Sequence, residues 1–147
     1  MKDFFFLILG LIIVFGSVFL FLGRTSVTRN ETKIIKINDT SIKVEIVDTP
    51  ETREQGLSDR ETLSEGAGML FIFDSPANYG FWMKDMKFAI DIVWIDEKSH
   101  VIGIEREVLP GTFPQTFYPN QPVKYVLELP AGSTNRYNIN IGAVVQL

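Results

Sequence analysis

Two runs, Lys33 to Ile37 and Ile42 to Val47, alternate apolar with polar residues, with Ile42, Val44 and Ile46 on one face of the second and Lys43 and Glu45 on the other. A period of two marks half-buried strands, and Asn38-Asp39 between the runs supplies turn chemistry, so the pattern predicts an opening hairpin. At Asp48-Thr49-Pro50-Glu51 the period changes. Thr49 can cap a helix, Pro50 suits its first position, Glu51 favours its positive end and Gly56 can end it, which predicts one or two helical turns that carry Arg53 and lead to Arg60. A glycine-rich hinge, Gly66-Ala67-Gly68, then feeds a short apolar strand from Met69 to Phe73.

The stretch Gly80 to Asp96 holds two tryptophans, two methionines, two phenylalanines and five formal charges in seventeen residues, too mixed for an ordinary core strand and too apolar for a loop. It reads as two strands split near Lys84 to Lys87. Alternation puts Asp91 on the face of Val93 and Ile95, while Ile90, Ile92 and Trp94 take the other; both faces are apolar, so Asp91 is expected to be enclosed. Asp96-Glu97-Lys98-Ser99 turns the chain into a strand at Val101 to Glu105. Val108 to Pro122 contains Pro110, Pro114, Pro119 and Pro122 among Phe113, Phe117 and Tyr118, and prolines cannot feed a sheet ladder, so a long loop is expected. Val123 to Leu129 returns as a strand with Lys124, Val126 and Glu128 on one face. Ser133 to Tyr137 reads as a helical turn and Ala143 to Leu147 as a last strand. Together these elements predict a mainly β, antiparallel domain, a small barrel or sandwich with one short helix.

Ahead of it, Phe4 to Leu22 is 19 residues without a charge. As a helix it would span about 28 Å, close to the hydrocarbon thickness of a bilayer, and it is expected to be a single transmembrane anchor. Leu22-Gly23-Arg24 offers no small-residue cleavage pattern, so the anchor is expected to stay uncleaved. The expected organisation is an anchor over residues 1–23, a tether over 24–32 and a β domain over 33–147. A short amino-terminal tail favours an extracytoplasmic domain, although Lys2 alone precedes the apolar run while Arg24, Arg29, Lys33 and Lys36 follow it.

From Glu31 onward the chain carries 17 acidic and 11 basic residues, a formal charge of −6. That argues against nucleic acid or an anionic lipid surface as a partner, since both are bound through clustered Lys and Arg. With no cysteine and His100 as the only histidine, a thiol nucleophile and a His/Cys metal site are excluded. His100 follows a charged turn and is expected to be exposed. No cofactor is expected.

Thr49-Pro50-Glu51 with Arg53 and Gly56-Leu57, Gly68-Met69-Leu70-Phe71, Phe81-Trp82-Met83-Lys84, Asp91-Ile92 with Ile95-Asp96, and Tyr125-Val126-Leu127-Glu128-Leu129 with Gly132 resemble the domain-of-unknown-function family 192. The likeness runs from about Ile42 to Gly142, as several blocks in the right order. It implies a compact, mostly β domain, frequently exported or membrane-attached in prokaryotes, and implies no biochemical activity. Two positions depart from the family pattern: Asp85 stands where Asn is usual, and Ala89 where a proline is common before the Ile-Asp pair.

Two sets of residues are candidates for a site. Trp82, Met83, Lys84 and Asp85, with Phe117 and Tyr118 of the proline-rich loop, have the composition of a small-molecule cleft, an apolar wall holding a few polar groups. Arg53, Arg60, Asp91 and Glu128 form a charge cluster that serves either the site or the scaffold, for instance as a buried Asp91–Arg60 pair. On this basis the domain is expected to bind a small ligand or envelope partner without chemistry. One alternative is a hydrolase using Asp91 or Asp85 with Glu128, Asp96 being a further candidate carboxylate; the other is an accessory subunit that docks through exposed aromatics.

Overall fold

The computed structural model describes residues 30–147. The expected anchor, Phe4 to Leu22, lies outside the described residues; among those described, no helix is long and apolar enough to cross a membrane. Strands β1 (Thr32–Ile37) and β2 (Thr40–Val47) form the expected antiparallel hairpin, with Ile35 opposite Ile42. Helix α1 (Pro50–Gln55) starts where the sequence indicated. The Thr49 hydroxyl accepts from the Thr52 amide at 3.2 Å, and the Thr52 hydroxyl accepts from the Thr49 amide at 3.1 Å, so two otherwise orphaned donors are satisfied reciprocally. The helix stops at Gly56, whose φ of 49° lies in the left-handed region and whose bare Cα lets the chain pass close to Phe71.

After this helix the chain returns along β3 (Ala67–Ala77), which pairs parallel with β2 and sets Glu45 beside Met69. The expectation of antiparallel pairing therefore fails at this one junction of the main sheet. A crossover of some length is what parallel neighbours require, and α1 with the loop behind it provides one. Strands β4 (Phe81–Trp82), β5 (Ile90–Ile95) and β6 (Val101–Val108) follow, then a 3₁₀ turn at Pro110–Thr112, β7 (Thr116–Phe117), β8 (Val123–Pro130), helix α2 (Ser133–Arg136) and β9 (Val145–Gln146). The main sheet has seven strands in the order β6-β5-β8-β3-β2-β1-β9, and β4 pairs with β7 in a separate two-stranded ribbon.

The proline-rich stretch is thus not all loop. Thr116 opposes Trp82 and Phe117 opposes Phe81, and the ladder is short enough to fit between Pro114 and Pro119 without needing a proline N–H.

The sheet curls into a half-barrel. Ile35, Ile37, Ile42, Val44, Leu70, Val93, Ile95, Val101, Leu127, Leu129 and Val145, drawn from all seven strands, pack into one buried cluster on its inner face. At one end the two edges meet: the Gly142 amide donates to the Val101 carbonyl at 2.8 Å, the Val101 amide to the Ala143 carbonyl at 2.9 Å and the Val145 amide to the Ser99 carbonyl at 2.8 Å. A second cluster lies on the other face, where Met69, Phe71, Ile92, Trp94 and Val126 are covered by Leu57, Met83 and the inward rings of the ribbon, Phe81 and Phe117. The strand β8 therefore runs through the middle of a sheet with both faces covered. That position decides the environment of Glu128.

Candidate functional site

Register places Glu45 of β2, Met69 of β3, Glu128 of β8 and Ile92 of β5 in one row across the sheet. Alternation keeps Glu128 with Val126, on the face of the second cluster. Far from being solvated, Glu128 is only 5% exposed, and its Oε2 is buried with no hydrogen-bond partner among the described residues. Burial pushes its carboxyl up to about 8, with the Arg60 charge pulling weakly the other way. At neutral pH the group is mostly protonated.

Above Glu128 the aromatic residues of β3, β4 and the connection between them enclose a cavity of about 250 Å³. Phe71 and Phe81 meet edge to face at 4.8 Å between centroids, and Phe81 meets Trp94 in the same way at 5.4 Å. Phe73 and Tyr79 stack at 3.5 Å, with the Tyr79 hydroxyl donating to the Ser75 carbonyl. On the far side, Arg53 closes the wall. Its Nη1 donates to the carbonyls of Asp48 at 2.8 Å and Ile72 at 2.6 Å, and its guanidinium carbon sits 5.1 Å from the Phe73 centroid. Leu57 and Met86 complete the apolar lining, and Trp82, 55% exposed, stands at the rim. An apolar recess with one buried, unpartnered polar group at its floor is the common form of a small-ligand site.

A second groove adjoins this pocket and shares Glu54, Gln55, Ser58 and Trp82 with it; Lys84 and Asp85 lie in the groove. The turn that carries them is stitched to the segment after α1. The Ser58 hydroxyl donates to the Lys84 carbonyl at 3.1 Å and the Asp59 amide to the Asp85 carbonyl at 2.9 Å. Asp85 has a φ of 56°. Asp and Asn are the non-glycine residues best tolerated there, which explains in backbone terms why either can occupy this position.

The sequence-predicted residues are therefore divided. Trp82, Lys84 and Asp85 come together in the groove, with Trp82 shared by the pocket. Met83 is 1% exposed and packs in the second cluster. Phe117 faces that cluster too, while Tyr118 is 60% exposed and its ring lies over Gly80, where a Cβ would come within 2.6 Å of it. Arg53 and Glu128 line the pocket. Arg60 forms its ion pair with Glu45, through two bonds of 2.6 and 2.7 Å, and this pair holds the Glu45 carboxyl below its usual range.

Asp91 belongs elsewhere and does not meet Arg60. It lies on the opposite face of the sheet from Glu128, fully buried, and accepts four hydrogen bonds: from the amides of Glu107, Gly132 and Thr134 and from the Thr134 hydroxyl, at 2.8 to 3.1 Å. These donors tie β6 and the start of α2 to β5. Among the described residues there is no group of three or more His, Cys, Asp or Glu able to hold a metal ion. His100 is exposed, with Asp96 at 3.7 Å.

Phe71, Phe73, Tyr79 and Phe81 were missed as wall residues because they lie on β3, β4 and the chain between them, and their meeting depends on the ribbon folding back. Met83 and Trp82, adjacent in sequence, separate scaffold from rim by a simple measurement. Met83→Ala is expected to cost about 2 kcal/mol through the cavity it leaves, whereas Trp82→Ala changes stability by no more than about 0.5 kcal/mol. Thermal unfolding of the two variants beside wild type tests this; equal losses would put Trp82 in the scaffold.

Comparison with known proteins agrees with this fold. A solved structure from Sinorhizobium meliloti 1021, described as a candidate transcription regulator, is 26% identical and superposes with a TM-score of 0.77, covering 81% of this chain and 95% of that one. A protein of unknown function from Novosphingobium aromaticivorans, 22% identical, shows the same fold at a TM-score of 0.78, with 83% of this chain and 89% of that one covered. No curated protein matches the chain. The model of family DUF192, described as an uncharacterized ACR, matches residues 33–147, and the chain belongs to that domain-of-unknown-function family.

Proposed function

We propose that the domain is a non-catalytic module that binds a small ligand in the aromatic pocket floored by Glu128, and that residues 4–22 hold it at a membrane with the pocket outside the cytoplasm. One observation carries the reading: Glu128 lines the cavity, and its Oε2 is buried with no partner among the described residues. A buried carboxyl without a hydrogen bond is costly, and a fold that needed only stability would fill this central position with Leu or Val. Active and binding sites are where such costs persist. The cavity suits a ligand at the small end of the usual range.

The hydrolytic alternative needs a second carboxylate converging on the same substrate atom as Glu128. Asp91 cannot supply it, being on the opposite face of the sheet and committed to four donors. An accessory role through exposed aromatics rests on Trp82 and Tyr118, and Trp82 is equally explained as the pocket rim. The description of the Sinorhizobium protein as a regulator belongs to that protein; the charge of −6 from Glu31 onward gives this domain no basis for gripping phosphates.

A fragment screen on the full-length protein in non-ionic detergent, read by amide chemical-shift mapping, tests the proposal. Hits are expected to move the amides of Phe71, Phe73, Tyr79 and Trp82 together. Hits that cluster on another surface, or a screen in which these four never respond, would sink it.

A further inference from the structure

The pocket has aromatic walls, an acidic mouth and one unpaired carboxyl at its floor, and the three properties together restrict what it accepts. The charged groups around the site come from several elements: Arg53 and Glu54 of α1 line the pocket with Glu128, Arg60 of the segment behind α1 acts on it while paired with Glu45 of β2, and Glu51, Asp59, Lys84 and Asp85 lie in the adjoining groove. Among the described residues, strands β3 and β5 bring no charged side chain to this face, only Met69, Phe71, Ile92 and their neighbours, with the buried Trp94 indole N–H as the one other unpartnered polar group among them.

The two arginines differ. Arg60 is neutralised by its two bonds to Glu45, whereas Arg53 keeps its charge, its Nη1 donating to two backbone carbonyls while the guanidinium lies over Phe73. Across the pocket and the adjoining groove the acidic side chains are Glu51, Glu54, Asp59, Asp85 and Glu128, against Arg53 and Lys84 alone. An anionic ligand would enter through this excess and end against a carboxyl. A cation is favoured by the acidic excess of the groove, by aromatic rings and by a buried carboxylate that gains the partner it lacks, and Arg53 at the wall is the one pocket charge that opposes it.

We infer that the ligand is a small organic cation, an ammonium group on an apolar or aromatic body, seated against the Glu128 carboxylate and among the rings of Phe71, Tyr79 and Phe81. This deepens the ligand-binding reading of the same pocket and depends on it. The exchange balances in protons. Glu128 holds a proton at neutral pH, its carboxyl being raised to about 8, so the arriving cation displaces that proton to solvent and leaves a carboxylate–ammonium pair. Affinity for the cation therefore rises with pH up to that value, approaching tenfold per unit, whereas a neutral ligand that accepts the Glu128 proton gains nothing from rising pH.

The test is isothermal titration of the full-length protein, in non-ionic detergent, with three probes that share one body: benzylammonium, benzyl alcohol and benzoate. Each is titrated between pH 6 and 8 in buffers of differing ionisation enthalpy. The expected result is that benzylammonium binds best, tightens roughly tenfold from pH 6 to 7 and about fivefold from pH 7 to 8, and releases close to one proton per ligand at pH 6 and about half a proton at pH 8. Glu128→Gln should weaken it at pH 8 by more than about tenfold and abolish the proton release, while leaving the melting cooperative. Benzyl alcohol binding as tightly as benzylammonium, with no proton released, would overturn the cation assignment and leave the pocket reading standing. If benzylammonium does not bind at millimolar concentration while the fragment screen still moves Phe71, Phe73, Tyr79 and Trp82, the cation inference alone has failed. If neither the screen nor the titration engages those residues, both readings fall together.

Discussion

Glu128→Gln is expected to raise stability at pH 7 by about 2–3 kcal/mol, or roughly 10 °C in melting temperature for a domain of this size. The reasoning follows the proton. Glu128 has an ordinary carboxyl value of 4.5 when the chain is unfolded and about 8 when it is folded. Between these values the folded protein holds a proton that the unfolded chain has released, so rising pH favours unfolding. The contribution of this group is therefore fully present below 4.5 and is lost progressively as pH climbs through about 8. Glutamine is neutral at every pH and escapes that loss, although its second amide hydrogen also needs a partner, which is why the expected gain is below the full linkage value. Wild type and variant should melt together near pH 4.5 and diverge steadily towards pH 8. Parallel curves across this range would show that Glu128 is ionised and stably paired in the folded protein. The Arg60 pair holds Glu45 below the usual carboxylate range, so Glu45 stays ionised over the same window and its stabilising effect is lost only further into acid.

Asp91→Ala is expected to act in the opposite sense and more strongly, costing about 4–5 kcal/mol at neutral pH and lowering the melting temperature by roughly 15 °C or more. Removing this carboxylate strands three backbone amides and a hydroxyl, contributed by Glu107, Gly132 and Thr134. Each buried donor left without a partner costs about 1–3 kcal/mol, and the relaxation that would let water in is resisted by Val93, Leu129 and their neighbours on the inner face. Asp91→Asn separates charge from shape. It can still accept from Glu107 and Gly132, but presents an amide to the two Thr134 donors, so it should fall between wild type and Ala. Thermal unfolding of both variants reads this directly. A melting temperature within a few degrees of wild type for Asp91→Ala would mean that the four hydrogen bonds are not what joins β5, β6 and α2.

The two carboxylates show where the sequence was legible and where it was not. Asp91 could be placed inside because its own strand is apolar on both sides, a local pattern that alternation resolves. Its partners could not be read, since the donors lie 16 to 43 residues away and three of them are backbone amides with no side-chain signature. The burial of Glu128 was not legible for a related reason. Lys124, Val126 and Glu128 alternate like an exposed face, and only the packing of α1 and the β4–β7 ribbon over that face turns it into an interior. The helix cap at Thr49 and Thr52 and the first hairpin were legible because they are settled within a few residues. Arg60 illustrates the limit: its charge called for a partner and Asp91 was the one expected, whereas Glu45 on β2 fills the role.

The joining of the sheet's two edges at one end has a consequence for self-association. An open half-barrel would offer β6 and β9 as templates on which further copies could add strands. Here the hydrogen bonds between Gly142, Ala143 and Val101, and between Val145 and Ser99, already occupy the start of β6 and the approach to β9. Further along β6 the ladder is interrupted from within: Glu107 has a left-handed φ of 54° and its amide points inward to Asp91. Glu105, Arg106 and Glu107 put three successive charges on what remains. These edges give fibril-like stacking little ladder to extend.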